Sequence, residues 1–458
     1  MIQGSRQIVE RSPWPCTRDT VLMLGEPRLL PSLHDMTTLR TDHERPAVVS
    51  SEATVVGDGR PEKRSEVDPE RRSFRNAVIA ALGVFIVTRL CVAAGAAVRA
   101  SQLTVDARVE GDEPVTGPLG LMLGVLGSWD GEWYMEIVRT GYPGYVPPDI
   151  TFFQLEARAA FFPVFPLVVR LATQVVRIVA PGVGEVHMAV LINTVMAIVA
   201  IVLIGLLARR LYGLETARRT MVLFAIFPGS FVLSFAYAEP VFFVVAMACM
   251  LMLLDERWAL AGAFAAIGTA TRPNGVALIA ACAVASFIAV RARRDWSSLV
   301  APLLAPIGLV AFHLYLAFQT GEWGVWFRVQ SEAWEEGTSF GATAVTNTLE
   351  FFGNPFGSPT DAVTALSFVC MVGGLWCMWR KPLPATMVAY ILVILALMLI
   401  PATVTARPRF IYTAFPLLIS VAAWWPRRDR YGWDLIMLAC GAGLVGLTGL
   451  YSVYGVIP

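Results

Sequence analysis

From residue 76 onward the chain alternates between long apolar runs and short islands of arginine. A helix needs about 20 mostly apolar residues to cross the hydrocarbon core of a bilayer. Backbone groups there must be satisfied inside the protein, so only helices and closed barrels can span. The runs are continuous rather than alternating, which predicts helices. Candidate spans lie at about 77–99, 187–208, 219–236, 239–254, 258–271, 274–290, 298–318, 361–379, 383–401, 409–425 and 433–455, about 11 in all. The expected fold is therefore an all-α polytopic membrane protein. Composition agrees: only 16% of the 458 residues are charged, against about 25% in an ordinary soluble protein. A formal net charge of +1 gives nucleic acid binding no electrostatic support.

The arginine islands set the expected orientation. Arg209, Arg210, Arg218 and Arg219 share one short connection, and Arg257 lies in another. Arg291, Arg293 and Arg294, then Arg380 and Lys381, then Arg427, Arg428 and Arg430 follow at further alternate connections. Basic residues favour the cytoplasmic side. If the N-terminus is inside, every island is cytoplasmic. The polar residues 1–75 then read as a disordered cytoplasmic tail, with no signal peptide ahead of the first span and Arg64, Arg71, Arg72 and Arg75 as its basic flank. Residues 76–458 form the transmembrane domain. Only Lys63 and Lys381 break the arginine habit, a composition that with abundant Ala, Val and Gly suggests a high-GC bacterial genome.

Residues 161–180 carry Arg170, Thr173, Gln174 and Arg177 at helical spacing, one polar stripe on an otherwise apolar segment. That pattern predicts a helix lying in the membrane interface rather than a span. It belongs to a long outer loop of about 100–186. A second outer loop, about 319–360, holds Trp323, Trp326 and Trp334 at headgroup depth. Six of the seven cysteines fall in apolar runs and the histidines are scattered, so neither a disulfide framework nor a His/Cys metal site is expected.

Four polar clusters fall on the outer side in this topology: Trp129-Asp130-Gly131-Glu132-Trp133-Tyr134, Tyr237-Ala238-Glu239-Pro240, Thr271-Arg272-Pro273-Asn274-Gly275 and Arg407-Pro408-Arg409-Phe410. Residues 129–140 predict a short helix ended by Gly141, with Asp130 at its start, where the helix dipole favours the ionised carboxylate. Such a carboxylate is a candidate general base for a hydroxyl nucleophile; its plain alternative is a helix cap. Glu132 is a second catalytic candidate, a metal ligand or a solvated charge. Arg272 and Arg409, with Arg407 beside the latter, suit phosphate, because guanidinium binds phosphate oxygens in a bidentate fork. Their plain alternative is headgroup contact at span ends. Arg89 lies inside the first span, an expensive place for a charge. It pairs with Glu239 or orients the loop that follows. Asn193 reads as an ordinary polar residue of the bundle.

The stretches SWDGEWYMEIVRTGY, AFFPVFP, FPGSFVLSFAYAEPVFF, ATRPNG and PRF, in this order, resemble the GPI mannosyltransferase II (PIG-V) family and its bacterial relatives, within the GT-C superfamily of membrane glycosyltransferases. The resemblance runs from about 128 to 410. It implies a GT-C-type bundle with a catalytic first outer loop and a polyprenyl-phosphate sugar donor, usually mannose. It assigns Asp130 to the acidic residue of the family's Trp-Asp motif, and Glu239 to the acid of a Tyr-Ser-Glu element that here reads Tyr-Ala-Glu. Asn274 falls in Arg-Ser-Asn-Gly, here Arg-Pro-Asn-Gly, where proline replaces the hydroxyl. Trp129, Tyr134 and Tyr237 are supporting residues of the same motifs.

The expected activity is inverting sugar transfer, with no certain cofactor and a divalent cation left open. The site would lie on the exoplasmic face of the plasma membrane, with a cell-envelope glycolipid or lipoglycan as acceptor. A transporter or flippase, the first rival, predicts internal repeats, broken midplane helices and charges deep in several spans. Only Arg89 sits at such depth. An inactive scaffold that keeps the fold is the second rival. No Gly-rich phosphate loop or strand–helix alternation suggests a nucleotide-binding domain.

Overall fold

The computed structural model describes residues 69–111, 116–402 and 405–453. The chain divides into two units, Met1–Arg64 and Ser65–Pro458, and every described residue lies in the second. The tail expected over 1–75 falls outside the described residues except for its last seven. Those begin the first helix, so that boundary moves back to Pro69. Among the described residues the architecture is helical, with one isolated β-bridge between Thr338 and Pro401.

Helix α1 (Pro69–Glu110) shows why these segments suit a bilayer. Ala77, Ala81, Phe85, Thr88, Val92 and Ala96 recur every three to four residues and are buried, while Ile79, Ile86, Val87 and Leu90 on other faces are exposed. A helix that is apolar both towards its neighbours and away from them belongs in lipid. Helices α2 (Pro118–Leu126), α3 (Asp130–Thr140) and α4 (Val164–Arg177) follow in the first long loop. Then come α5 (Glu185–Tyr212), α6 (Leu214–Ile226), α7 (Glu239–Leu254), α8 (Trp258–Thr269) and α9 (Val276–Arg293). Short α10 (Val300–Leu304) leads to α11 (Ile307–Thr320), and the second loop folds into α12 (Val325–Glu332) and α13 (Ala342–Gly353). Helices α14 (Pro359–Arg380), α15 (Ala385–Leu399), α16 (Pro408–Thr413), α17 (Pro416–Trp424) and α18 (Arg430–Ser452) complete the bundle.

Six segments among the described residues are long and apolar enough to cross: Glu70–Glu110, Glu185–Tyr212, Pro273–Arg293, Trp296–Thr320, Pro359–Arg380 and Arg430–Ser452. Glu239–Leu254, Trp258–Thr269 and Ala385–Leu399 are shorter apolar helices. Every expected span contains helix, but the count of eleven does not follow from length. The run at 219–236 stops being α-helical at Ile226 and continues as a 3-10 turn, Pro228–Leu233. The run at 409–425 is broken between α16 and α17, where Pro416 opens the second helix. These breaks fall next to the polar clusters.

Helix α4 has only 14 residues, too few to cross. Its Phe165, Pro166, Val169 and Thr173 are buried, while Leu167, Leu171 and Val175 are exposed.

The basic islands gather at one end of the bundle. Arg209 pairs with Glu70 at 2.9 Å, Arg210 with Asp255, and Arg293 with Glu256 at 2.7 Å. Arg219 donates to the Trp425 carbonyl at 2.9 Å. Glu239 opens α7 and Asp255 follows its last residue, so the polar clusters near Glu239 occupy the opposite end of that helix.

The second long loop docks on the first. Trp326 Nε1 donates to the Ala160 carbonyl at 3.0 Å, and Arg328 donates to the Val146 and Pro147 carbonyls at 3.2 and 2.9 Å. Trp326 and Trp334 pack into a cluster with Phe162, Phe312 and Val329, leaving Trp323 as the exposed tryptophan of the three.

Candidate active site

The site is built from four chain breaks that meet. At the first, the Gly131 N–H donates to the Ser128 carbonyl at 3.1 Å, making a tight turn that starts α3. Trp129 occupies this turn at φ 60°, ψ −125°. A bulky residue rarely adopts positive φ, and holding it there costs about 1–3 kcal/mol. The surroundings enforce it: Trp129 Nε1 donates to the Tyr451 carbonyl in α18 at 3.1 Å. The turn leaves Asp130 as the first residue of α3.

The second break is the stretch 234–238 before α7. Asn193, fully buried in α5, donates its amide to the carbonyls of Phe235 at 2.6 Å and Tyr237 at 2.8 Å. The Ala236 N–H donates to the Leu126 carbonyl at 2.8 Å. These bonds fix non-helical backbone where water is scarce, and Glu239 emerges at the start of α7 with no exposure. The third break, Pro273–Gly275, is a 3-10 turn. A Cβ on Gly275 would lie 2.5 Å from the Gly268 carbonyl oxygen, so only glycine lets this turn fold back on α8. The fourth is the start of α16. A Cβ on Gly229 would approach the Pro408 carbonyl oxygen to 2.3 Å, so the Phe227-Pro228-Gly229-Ser230 turn and the Pro408-Arg409-Phe410 turn touch backbone to backbone.

Asp130, Glu239, Arg272 and Arg409 converge. Arg409 Nη1 donates to Asp130 Oδ2 at 2.6 Å and lies 3.9 Å from Glu239 Oε1. Arg272 Nη1 pairs with Glu239 Oε2. Glu239 bridges the two arginines, and the quartet carries two charges of each sign. The Arg409 guanidinium lies over the Tyr237 ring at 5.6 Å and the Phe410 ring at 4.9 Å. Tyr134 sits one turn along α3 from Asp130, almost fully buried, and feels the charge of all four residues. Burial first, ahead of those charges, pushes its hydroxyl pKa well up, so it stays a proton donor at neutral pH.

Several buried donors remain without an acceptor among the described residues, including Arg272 Nε and Arg409 Nε. Two guanidinium groups with N–H groups to spare, close to a carboxyl group, suit an anion that arrives with a reactant. No group of three His, Cys, Asp or Glu that could hold a metal ion comes together among the described residues.

The other candidates have different surroundings. Glu132 is exposed, two residues beyond Asp130 and so on another side of α3. Buried Arg407 turns to α14, where its Nη1 donates to Thr364 Oγ1 at 2.7 Å. Asn274 is half-buried in the 273–275 turn. Arg89 does not pair with Glu239: it donates to the Ser230 carbonyl at 2.6 Å and to the hydroxyls of Ser230 and Ser234 at 3.0 and 3.2 Å. It therefore braces the turn carrying Gly229. Asn193 is the residue whose importance the sequence understated. Its signal was an amide inside an apolar run, costly unless bonded.

The family model described as Mannosyltransferase (PIG-V) matches residues 104–322, as the motif resemblance implies. That segment contains Asp130, Glu239 and Arg272 and stops short of Arg409. No curated protein matches the chain in sequence. Among solved structures, ArnT from Cupriavidus metallidurans bound to undecaprenyl phosphate is similar at a TM-score of 0.46 and 16% identity, over 67% of this chain and 57% of that one. The Archaeoglobus fulgidus oligosaccharyltransferase is similar at a TM-score of 0.39 in its apo form and 0.37 when tethered to an acceptor peptide, with 14% identity in each. The chain spans 56% and 55% of the length of these two.

Proposed function

From a chain of PIG-V likeness, we propose a membrane glycosyltransferase of the GT-C type that moves a sugar, mannose in the first instance, from a polyprenyl-phosphate donor to a lipid-borne hydroxyl acceptor. The observation that carries this is the quartet: a carboxylate at a helix start, in direct contact with a buried arginine and next to a second one. Asp130 takes the proton of the acceptor hydroxyl as its oxygen attacks the anomeric carbon. The bond to the phosphate oxygen breaks on the opposite face, giving inversion. Arg409 and Arg272 stabilise the negative charge that collects on the departing polyprenyl phosphate.

Charge balance gives this chemistry an order. Before donor arrives, Arg409 is held by Asp130 and Arg272 by Glu239. A phosphate brings new acceptors for the arginine N–H groups. As Arg409 turns to it, an Asp130 oxygen is released to accept the hydroxyl proton. Glu239 stays between the arginines and holds them in place. The donor's tail remains in the bilayer, so no nucleotide domain is needed. The site is proposed to face the exoplasmic side, because the opposite end of the bundle gathers the arginine islands. The acceptor is proposed to be a glycolipid or lipoglycan of the cell envelope.

The test is transfer of radiolabelled mannose from polyprenyl-phosphate mannose into lipid extracts, using membranes that carry the chain or its Asp130→Asn variant. Incorporation that depends on the chain and disappears with Asp130→Asn is the expected result. Equal incorporation by the variant at matched protein levels would remove the proposed base.

A further inference from the structure

A cavity with a polar lining lies on the same loop, at the end of α3 away from Asp130. It measures about 260 Å³ and is lined by Val138, Arg139, Arg170, Thr173, Gln174, Arg177 and Glu185, between the end of α3, one edge of α4 and the start of α5. We infer that this cavity binds the phosphate-bearing headgroup of a membrane lipid, with Arg170 as its principal cation.

The charges show which arginine is available. Arg139 pairs with Glu136 at 3.1 Å, and Arg177 with Glu185 at 2.7 Å. Arg170 is exposed and makes no ion pair among the described residues. Three guanidinium groups against two carboxylates leave one positive charge, at Arg170. The cavity floor adds an independent sign. The Thr173 hydroxyl oxygen is buried and has no hydrogen-bond partner, while its residue is 2% exposed. A hydroxyl in that state is costly unless a ligand bonds to it. A phosphate offers what both groups lack: acceptors for the guanidinium fork and for the threonine O–H.

Helix α4 supplies the depth. Leu167, Leu171 and Val175 form its exposed apolar stripe, continued by Ile178 just beyond, and Val169 and Phe165 anchor the inner face. A helix with lipid-facing leucines and an adjoining edge of Arg170, Gln174 and Arg177 rests in the interface plane, where phosphate headgroups lie. Thr173 is three residues from Arg170 and Gln174 is four, so all three reach the same cavity. Helix α3 carries Asp130 at its first residue and Arg139 near its last, nine positions or roughly 13 Å apart. The assignment needs the interfacial placement of α4 but not the transfer chemistry.

Full-length protein in detergent micelles, exposed to equal amounts of phosphatidylglycerol and phosphatidylcholine, gives the test by native mass spectrometry. Wild type should retain phosphatidylglycerol preferentially. Arg170→Gln should cut that retention about tenfold, and Thr173→Val should lower it less. Arg291→Gln, which removes an exposed arginine at the other end of the bundle, should leave it unchanged. An unchanged melting temperature for Arg170→Gln separates lost binding from lost fold. Equal loss in the Arg291 variant, or no loss in Arg170→Gln, overturns the site. If inorganic phosphate displaces nothing, the lipid assignment stands; if it binds in an Arg170-dependent way while phosphatidylglycerol does not, that assignment fails. Binding is read without any sugar transfer, so loss of one result leaves the other intact.

Discussion

Arg409 reaches Asp130 at 2.6 Å across 279 positions of sequence, and with the Trp129–Tyr451 bond beside it ties the first long loop to the C-terminal third of the chain. The contact makes Arg409 both a partner of the proposed base and a candidate phosphate ligand. Arg409→Lys keeps the charge but loses the fork. Transfer by this variant should fall about 10²-fold at saturating donor, measured as initial rate in membranes with protein level matched by immunoblot. A rate near wild type would show that the fork is not used.

Removing one partner of a buried ion pair strands the other charge and costs about 3–5 kcal/mol. Glu239→Gln and Arg272→Met are therefore each expected to destabilise the protein, while the double variant Glu239→Gln/Arg272→Met should recover part of the loss. Thermal unfolding in detergent checks the ordering. A double variant as unstable as the sum of the singles would show that the two residues are not coupled.

Gly229 has no room for a side chain, since an added Cβ would lie 2.3 Å from the Pro408 carbonyl oxygen. Gly229→Ala must push the turn carrying Arg409 away from the one braced by Arg89. A stability loss of about 1–3 kcal/mol is expected, together with a loss of transfer larger than stability explains. Gly83→Ala is the control: its Cβ meets nothing within 4 Å.

Asn193→Leu should leave the Tyr237 carbonyl without its donor, at about 1–3 kcal/mol, and the Phe235 carbonyl with the Tyr237 N–H alone. Glu239 would lose its fixed place at the start of α7. A lower melting temperature accompanied by lost transfer is the expected outcome, and an unaltered melting temperature would count against the brace.

Trp129 carries the clearest backbone strain of the site, and its indole bond to the Tyr451 carbonyl opposes it. Trp129→Gly relieves the strain and loses the bond, whereas Trp129→Ala loses the bond and keeps the strain. The glycine variant should be the more stable by about 1 kcal/mol, read from paired melting curves. Transfer should suffer in both, because α3 loses its tie to α18.

Much of the fold was legible in the sequence, because insertion into lipid is dictated by composition over about 20 residues at a time. The helical class, the amphipathic pattern of α4 and the polar clusters at Trp129-Asp130, Tyr237-Glu239, Arg272 and Arg407-Arg409 needed nothing beyond local pattern. The sequence could not count the spans: Ile226 ends one helix and the break between α16 and α17 ends another, although the apolar runs continue through both. Tertiary structure alone decided which of the polar residues meet. It joined Asp130 to Arg409 and Glu239 to Arg272, sent Arg407 to Thr364 and Arg89 to Ser230, and gave Asn193 the task of holding the non-helical stretch before Glu239. The physical reason is range. Hydropathy acts through each segment's own side chains, whereas a pairing between charges hundreds of residues apart depends on how whole helices pack, and a few ångströms there decide whether two groups touch.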